Sequence, residues 1–217
     1  VTDLTATIVG YWDAVAHAFD DEPDHGLRAE VTRAAWDRRL RAWAPPGPAD
    51  VLDVGCGTGS LAVLLAAAGH RVTGVDLAPQ MIELARGKMA AAELAGRFLV
   101  GDAAVPPTGD ERFDMVLCRH LVWTLPDPHL ALREWVARLR PNGRLVLVEG
   151  CWGEAGPVVP YVPGAETLVW GGGVRASELA SAVRPLVFDL RVERLSQDSE
   201  LWGGPVGDER YALIAYT

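Results

Sequence analysis

The sequence predicts an α/β fold, a seven-stranded and mostly parallel sheet with helices on both faces. Three observations predict it. From Asp50 onward short β-rich runs alternate with helical stretches; the first run passes through a glycine-rich turn directly into a helix; and two further apolar runs close the chain. Alternation implies parallel neighbours, because each crossover carries a helix that covers a sheet face.

Ahead of the sheet, Tyr11 to Phe19 and Glu30 to Trp43 carry apolar residues at helical spacing, separated by the acidic turn Asp20 to Gly26. The prolines of Ala44 to Pro48 stop the second helix. Strands are then expected at Val51 to Val54, Arg71 to Val75, Phe98 to Val100, Phe113 to Cys118 and Arg144 to Glu149, with helices at Ser60 to Ala68, Pro79 to Ala95 and Pro128 to Leu139. Asp127 before Pro128 is an N-cap followed by a first-turn proline, and Pro141-Asn-Gly143 is a return turn. Residues 151–174 break the alternation with six glycines and three prolines, as a functional loop does. A helix at Ala176 to Val183 follows, and the runs Leu186 to Leu195 and Tyr211 to Tyr216 are expected to pair as an antiparallel hairpin at the sheet edge. The chain thus reads as one domain: a helical cap (1–44), a core (45–150), a loop (151–174) and a C-terminal helix with two strands (175–217).

At 217 residues and 49% hydrophobic composition the chain can bury a large core. A net charge of −9 works against phosphate-backbone binding, so nucleic acid is not an expected partner. No apolar run reaches the roughly 20 residues that span a bilayer, nor does Val1-Thr-Asp-Leu4 read as a leader, so a cytoplasmic protein without a membrane partner is expected. Three widely spaced cysteines suggest neither a disulfide framework nor a Cys-x-x-Cys metal site.

The sharpest signal is Val51-Leu-Asp-Val-Gly-Cys-Gly-Thr-Gly-Ser60. A dinucleotide loop spaced G-x-G-x-x-G would place its last small residue at position 60; here the third glycine falls at Gly59. Asp53 stands where it would repel a pyrophosphate and accept from an ammonium group. The pattern Asp53-x-Gly55-x-Gly57-x-Gly59 resembles motif I of the class I S-adenosylmethionine-dependent methyltransferases, and similarity in spacing continues through Val75-Asp76-Leu77, Gly101-Asp102-Ala103, Phe113 to Leu121, Leu125 to Pro128 and Leu139 to Leu147. The resemblance implies the Rossmann-like fold of that family and S-adenosylmethionine as cofactor. It further implies Asp76 on the ribose hydroxyls, Leu77 and Met81 beside the adenine, Asp102 on the adenine amino group and a backbone contact from Ala103.

Methyl transfer is an in-line displacement that needs alignment and exclusion of water more than side-chain chemistry. His120, just after the fourth strand, is the candidate base. The segment Tyr11 to Asp20 resembles the helix that small-molecule methyltransferases fold over the donor, which implies Tyr11 on the methionine carboxylate and Trp12, Phe19 and His25 as cleft walls. Arg119 is grouped with the donor site, with an acidic acceptor or an ion pair to Asp127 or Glu149 as its other readings. Glu149, Trp123 and Trp152 complete the candidate acceptor site. No Asp/Asn-Pro-Pro-aromatic run, Pro-Cys nucleophile or metal-spaced His/Asp/Glu set is present, so metal-independent O- or N-methylation of a small aromatic or heteroaromatic metabolite is expected. The protein is expected to be a monomer or homodimer. Two rivals stand beside this reading: a nicotinamide-dependent oxidoreductase and a non-catalytic protein that binds S-adenosylmethionine.

Overall fold

A computed structural model describes residues 4–152 and 160–217. Its sheet comprises β1 (Asp50–Val54), β2 (Arg71–Asp76), β3 (Arg97–Val100), β4 (Phe113–Arg119), β5 (Leu139–Cys151), β6 (Asp189–Arg194) and β7 (Glu209–Tyr216), in the spatial order β3-β2-β1-β4-β5-β7-β6. The first five are parallel; β7 is antiparallel to both β5 and β6. The expected C-terminal pair is therefore present, but its later strand lies inside and its earlier one at the edge.

Strand alternation sends successive side chains to opposite faces. Val51, Met115, Leu117, Val146, Val148 and Ile214 enter one core with Trp36, Leu40 and Trp43 of α3 (Glu30–Trp43), Leu61 and Leu65 of α4 (Ser60–Ala67) and Ile82 of α5 (Pro79–Ala91). Leu52, Val54, Val116, Leu145, Leu147 and Leu213 enter the other with Leu132 and Trp135 of α6 (Pro128–Ala137) and Leu179 of α7 (Ala176–Val183). Asp127 caps α6 as expected, accepting from Leu130 N–H at 2.8 Å. The expected helix to Ala95 ends earlier, where Glu93 takes φ 55°. Pro141 to Gly143 does not separate helix from strand but forms a bulge inside β5, whose ladder jumps from Phe113↔Leu139 to Met115↔Arg144.

The N-terminal helix α1 starts at Leu4, well before the expected Tyr11, and runs to Phe19; α2 (Pro23–Gly26) occupies the acidic turn. Trp12, Ala16 and Phe19 of α1 pack with Ala78 and Met81, while Leu4, Ile8 and Tyr11 pack with Tyr161, Val162 and Leu168. The middle of the expected 151–174 loop, residues 153–159, lies outside the described residues. A short α8 (Ser199–Trp202) sits against α3, its Leu201 carbonyl accepting from Trp36 Nε1 at 2.8 Å. Strand order reverses direction between β1 and β4, and in open α/β sheets ligands bind outside the carboxyl ends of strands at such a point. Among the described residues, no helix is long and apolar enough to cross a membrane.

Candidate active site

A cavity of about 540 Å³ opens at that point, lined by the glycine turn after β1, the end of β2, the loop after β3, the turn after β4 and the inner face of α1 and α2. Its size suits a small-molecule ligand. Gly55, Gly57 and Gly59 have φ of 67°, 52° and 78°, a left-handed conformation that side-chain-bearing residues rarely adopt. At Gly59 a Cβ would also lie 2.9 Å from the Ala85 Cβ of α5. Gly59→Ala is thus expected to cost about 1–3 kcal/mol, read as a lowered denaturation midpoint with an unchanged slope. Gly59 itself does not line the cavity; Gly55, Cys56 and Gly57 do.

Asp53 at the end of β1 is buried, its Oδ2 has no hydrogen-bond partner, and burial pushes its pKa up to about 7 despite the Arg119 charge. Asp76 ties the turn to β2: its Oδ2 accepts from Gly57 N–H at 2.9 Å and its Oδ1 from Ala78 N–H at 3.0 Å. Burial raises the Asp76 pKa while those backbone donors hold it down. Each carboxylate oxygen accepts more than once, so Asp76 can still accept from a ligand donor. Asp102 stands at the rim, accepting from Ala104 N–H at 2.8 Å, and the Ala103 carbonyl accepts from Trp135 Nε1 at 2.7 Å. Leu77 and Met81 face the same cavity.

The cap is fastened to the glycine turn. Asp20, just past α1, accepts from Thr58 Oγ1 at 2.5 Å and pairs with Lys88 Nζ at 2.8 Å; the lysine also donates to Ser60 Oγ at 2.7 Å. Lys88 is the chain's one lysine, and sequence reasoning gave it no role. Phe19 closes over the turn so tightly that a Cβ on Gly57 would lie 3.3 Å from its ring.

On the far side of the donor loops, His120 follows β4 in the left-handed conformation, φ 54°. Its ring stacks on Trp202 with centroids 5.9 Å apart and meets Trp152 edge-on at 5.0 Å. Burial, then the charges of Arg119, Arg210 and His25, hold its pKa well below the ordinary histidine value. His25 stacks on Phe19 at 4.2 Å, and burial lowers its pKa also. Trp12, Phe19, His25, Trp123 and Trp152, the expected cleft and acceptor-side residues, all line the cavity.

Two candidates, Tyr11 and Glu149, lie outside the cavity lining. Tyr11 is not a lining residue; its ring packs against Trp12 at 5.0 Å and Tyr161 at 5.2 Å. Glu149 is not at the mouth but fully buried, because β5 continues two residues past it; its Oε1 accepts from Leu121 and Val122 N–H at 2.9 and 3.0 Å. Arg119 lines the cavity, yet its guanidinium lies 4.9 Å over the Trp36 ring and donates to the Asp24 carbonyl, not to Asp127 or Glu149. Asp24 and Arg210 line the cavity unforeseen. Arg210 is held between Trp152 and Trp202, 4.9 and 5.0 Å from their ring centres, by the Asp208 carboxylate. Asp24 completes a set of potential metal ligands with His25 and His120, where sequence spacing showed none.

Residues 52–147 match a family described as a methyltransferase domain. A demethylmenaquinone methyltransferase of Deinococcus radiodurans is 36% identical over 151 residues, 69% of this chain and 59% of that protein. Residues 52–147 thus carry a class I S-adenosylmethionine-dependent methyltransferase domain. A ubiquinone biosynthesis O-methyltransferase of Coxiella burnetii is 35% identical over 95 residues, 44% of this chain and 41% of that protein. The chain therefore spans less than two thirds of the length of these curated relatives. The magnesium protoporphyrin IX methyltransferase of Synechocystis PCC 6803, solved with bound S-adenosylmethionine, shares the fold at a TM-score of 0.69 and 17% identity, covering 100% of this chain and 98% of that one. The cofactor of this methyltransferase family, S-adenosylmethionine, fits the residues present: the orphaned Asp53 Oδ2 suits its ammonium, and the glycine turn leaves room that Cβ atoms would fill.

Proposed function

We propose that this methyltransferase moves the methyl group of S-adenosylmethionine to an oxygen or nitrogen atom of a small aromatic or heteroaromatic metabolite. The observation that carries this reading is one cavity joining the acidic glycine-turn side, Asp53 and Asp76, to a side walled by Phe19, Trp123 and Trp152 around His120. Aromatic walls favour a flat acceptor. The names of the Deinococcus and Coxiella relatives, which specify methylation in quinone pathways, support the flat acceptor, and the Coxiella name alone specifies oxygen.

S-adenosylmethionine, when bound, supplies an electrophilic methyl group on sulfur. The chain holds it through Asp53, the turn Gly55 to Gly57, Asp76 and Asp102, with Leu77 and Met81 beside the base and Phe19 excluding water from above. His120 is neutral at physiological pH, so one ring nitrogen could take the acceptor's proton as the acceptor bonds to the methyl carbon and the carbon–sulfur bond breaks, releasing S-adenosylhomocysteine. The depressed basicity of His120 matches acceptors whose proton is already acidic, phenols and ring N–H groups, better than alcohols. His120→Asn keeps the left-handed backbone and is expected to lower kcat by ~10²–10⁴-fold with donor affinity within about 3-fold. Incubation of a metabolite extract with isotopically labelled donor, followed by mass spectrometry, tests the reading. A labelled aromatic product supports it; tight donor binding with no labelled product supports a non-catalytic donor-binding protein instead.

A further inference from the structure

We propose that Asp24, His25 and His120 form a binding site for one divalent transition-metal ion at the acceptor side of the cavity. One ligand atom from each residue lies within 4.8 Å of the others. Asp24 Oδ2 stands 3.9 Å from His25 Nε2 and 3.9 Å from His120 Nδ1. Ligands about 2.1 Å from a tetrahedral centre are ~3.4 Å apart, so the two pairs that include Asp24 are open by about half an ångström. That gap is too wide for hydrogen bonds between the three and narrow enough for an ion to close.

The polar atoms are also unspent. Of the three facing atoms, Asp24 Oδ2 is buried without a hydrogen-bond partner, and the far nitrogens of the two rings, His25 Nδ1 and His120 Nε2, are unpartnered as well, so no bond to the protein holds either imidazole in another role. The nearest cation does not settle the account, because the Arg119 guanidinium is directed to the Asp24 carbonyl oxygen and the Trp36 ring. Both imidazoles are held in place by aromatic rings, His25 by Phe19 and His120 by Trp202 and Trp152, which fixes ligand direction in advance. Two imidazole nitrogens with one carboxylate oxygen favour zinc, iron or cobalt over the oxygen-seeking magnesium and calcium. All three residues line the cavity, so the ion's remaining positions face the acceptor and offer a place for its oxygens.

The inference rests on the proposed function only for the acceptor side; the site itself does not depend on it. With an ion bound, His120 would serve as ligand instead of base, and the ion would lower the pKa of a coordinated acceptor hydroxyl so that its proton passes to water.

Cobalt(II), titrated into the chelator-treated protein, reports on the site directly through its visible ligand-field bands. One equivalent is expected to bind, zinc is expected to displace it, and Asp24→Asn and His25→Gln are each expected to weaken binding by ~100-fold. S-adenosylhomocysteine binding in the same samples verifies that the near-isosteric variants are folded. Absence of bands in the parent protein, or bands unchanged in the double variant, overturns the site. Failure of S-adenosylhomocysteine to bind while cobalt does would sink the proposed function and leave the metal site standing.

Discussion

Asp53→Asn is expected to weaken S-adenosylhomocysteine binding by about 10- to 100-fold while leaving the ligand-free protein as stable as the parent, or more so, above pH 7. The two effects have opposite signs because one carboxylate serves binding at the expense of folding. Buried at the end of β1 with an unpartnered oxygen, Asp53 has its pKa raised from 3.8 to about 7. A carboxyl whose folded pKa is raised contributes stability that is complete below the unfolded value and lost as pH climbs through the folded one. Between pH 4 and 7 the parent protein therefore gives up stability through this group, and above pH 7 it carries a buried charge. Asn carries none. A ligand ammonium, in contrast, needs the ionised form as its acceptor. Affinity in the parent protein is expected to rise from pH 6 to 8 and then level off, and to stay flat in the variant. Calorimetric titration at three pH values, with denaturant unfolding of the same samples, checks both signs.

Glu149→Ala is expected to cost about 3 kcal/mol, a fall of about 6–12 °C in Tm, without Glu149 touching any ligand. Glu149 Oε1 satisfies two main-chain N–H groups where the chain turns from β4 toward the Val122–Thr124 helical turn. Truncation leaves both donors buried beside a cavity. Glu149→Gln separates charge from hydrogen bonding. Burial lifts the Glu149 pKa from 4.5 to about 7, so its contribution is complete below pH 4.5 and lost as pH rises through 7. The Gln variant keeps an acceptor for both donors and is expected to melt at or above the parent temperature at pH 8. A melting temperature at pH 8 as low as that of the Ala variant would refute the hydrogen-bond account.

What the sequence discloses is what neighbouring residues settle among themselves. The strand, three glycines and helix of residues 51–67 are one local signal, as is the Asp127-Pro128 start of α6, and both stand where expected. The order of β6 and β7 was hidden, since two apolar runs that pair antiparallel leave the same pattern whichever lies outside. Glu149 misled because a carboxylate two residues inside a strand end reads like one at the end. Tyr11 misled for a different reason: a helix starting at Leu4 has a second apolar stripe, and Tyr11 belongs to the stripe that meets Val162 and Leu168. Arg210 reaches the cavity only because β7 lies beside β5, and no signal near it in the chain shows that. Asp24 left a trace in Pro23-Asp-His-Gly26, two ligand-type residues side by side in a tight turn, but its third companion arrives from β4.

The interior place of β7 has a consequence for assembly. Among the described residues β6 pairs with β7 alone, so it has no strand to join until residues 209–216 exist. During synthesis the parallel half can zip in chain order, whereas the apolar edge of β5 stays open until the last strand arrives and brings β6 with it. Completion of the sheet is a single late event, in which one segment supplies two ladders and draws Arg210 to the cavity in the same step.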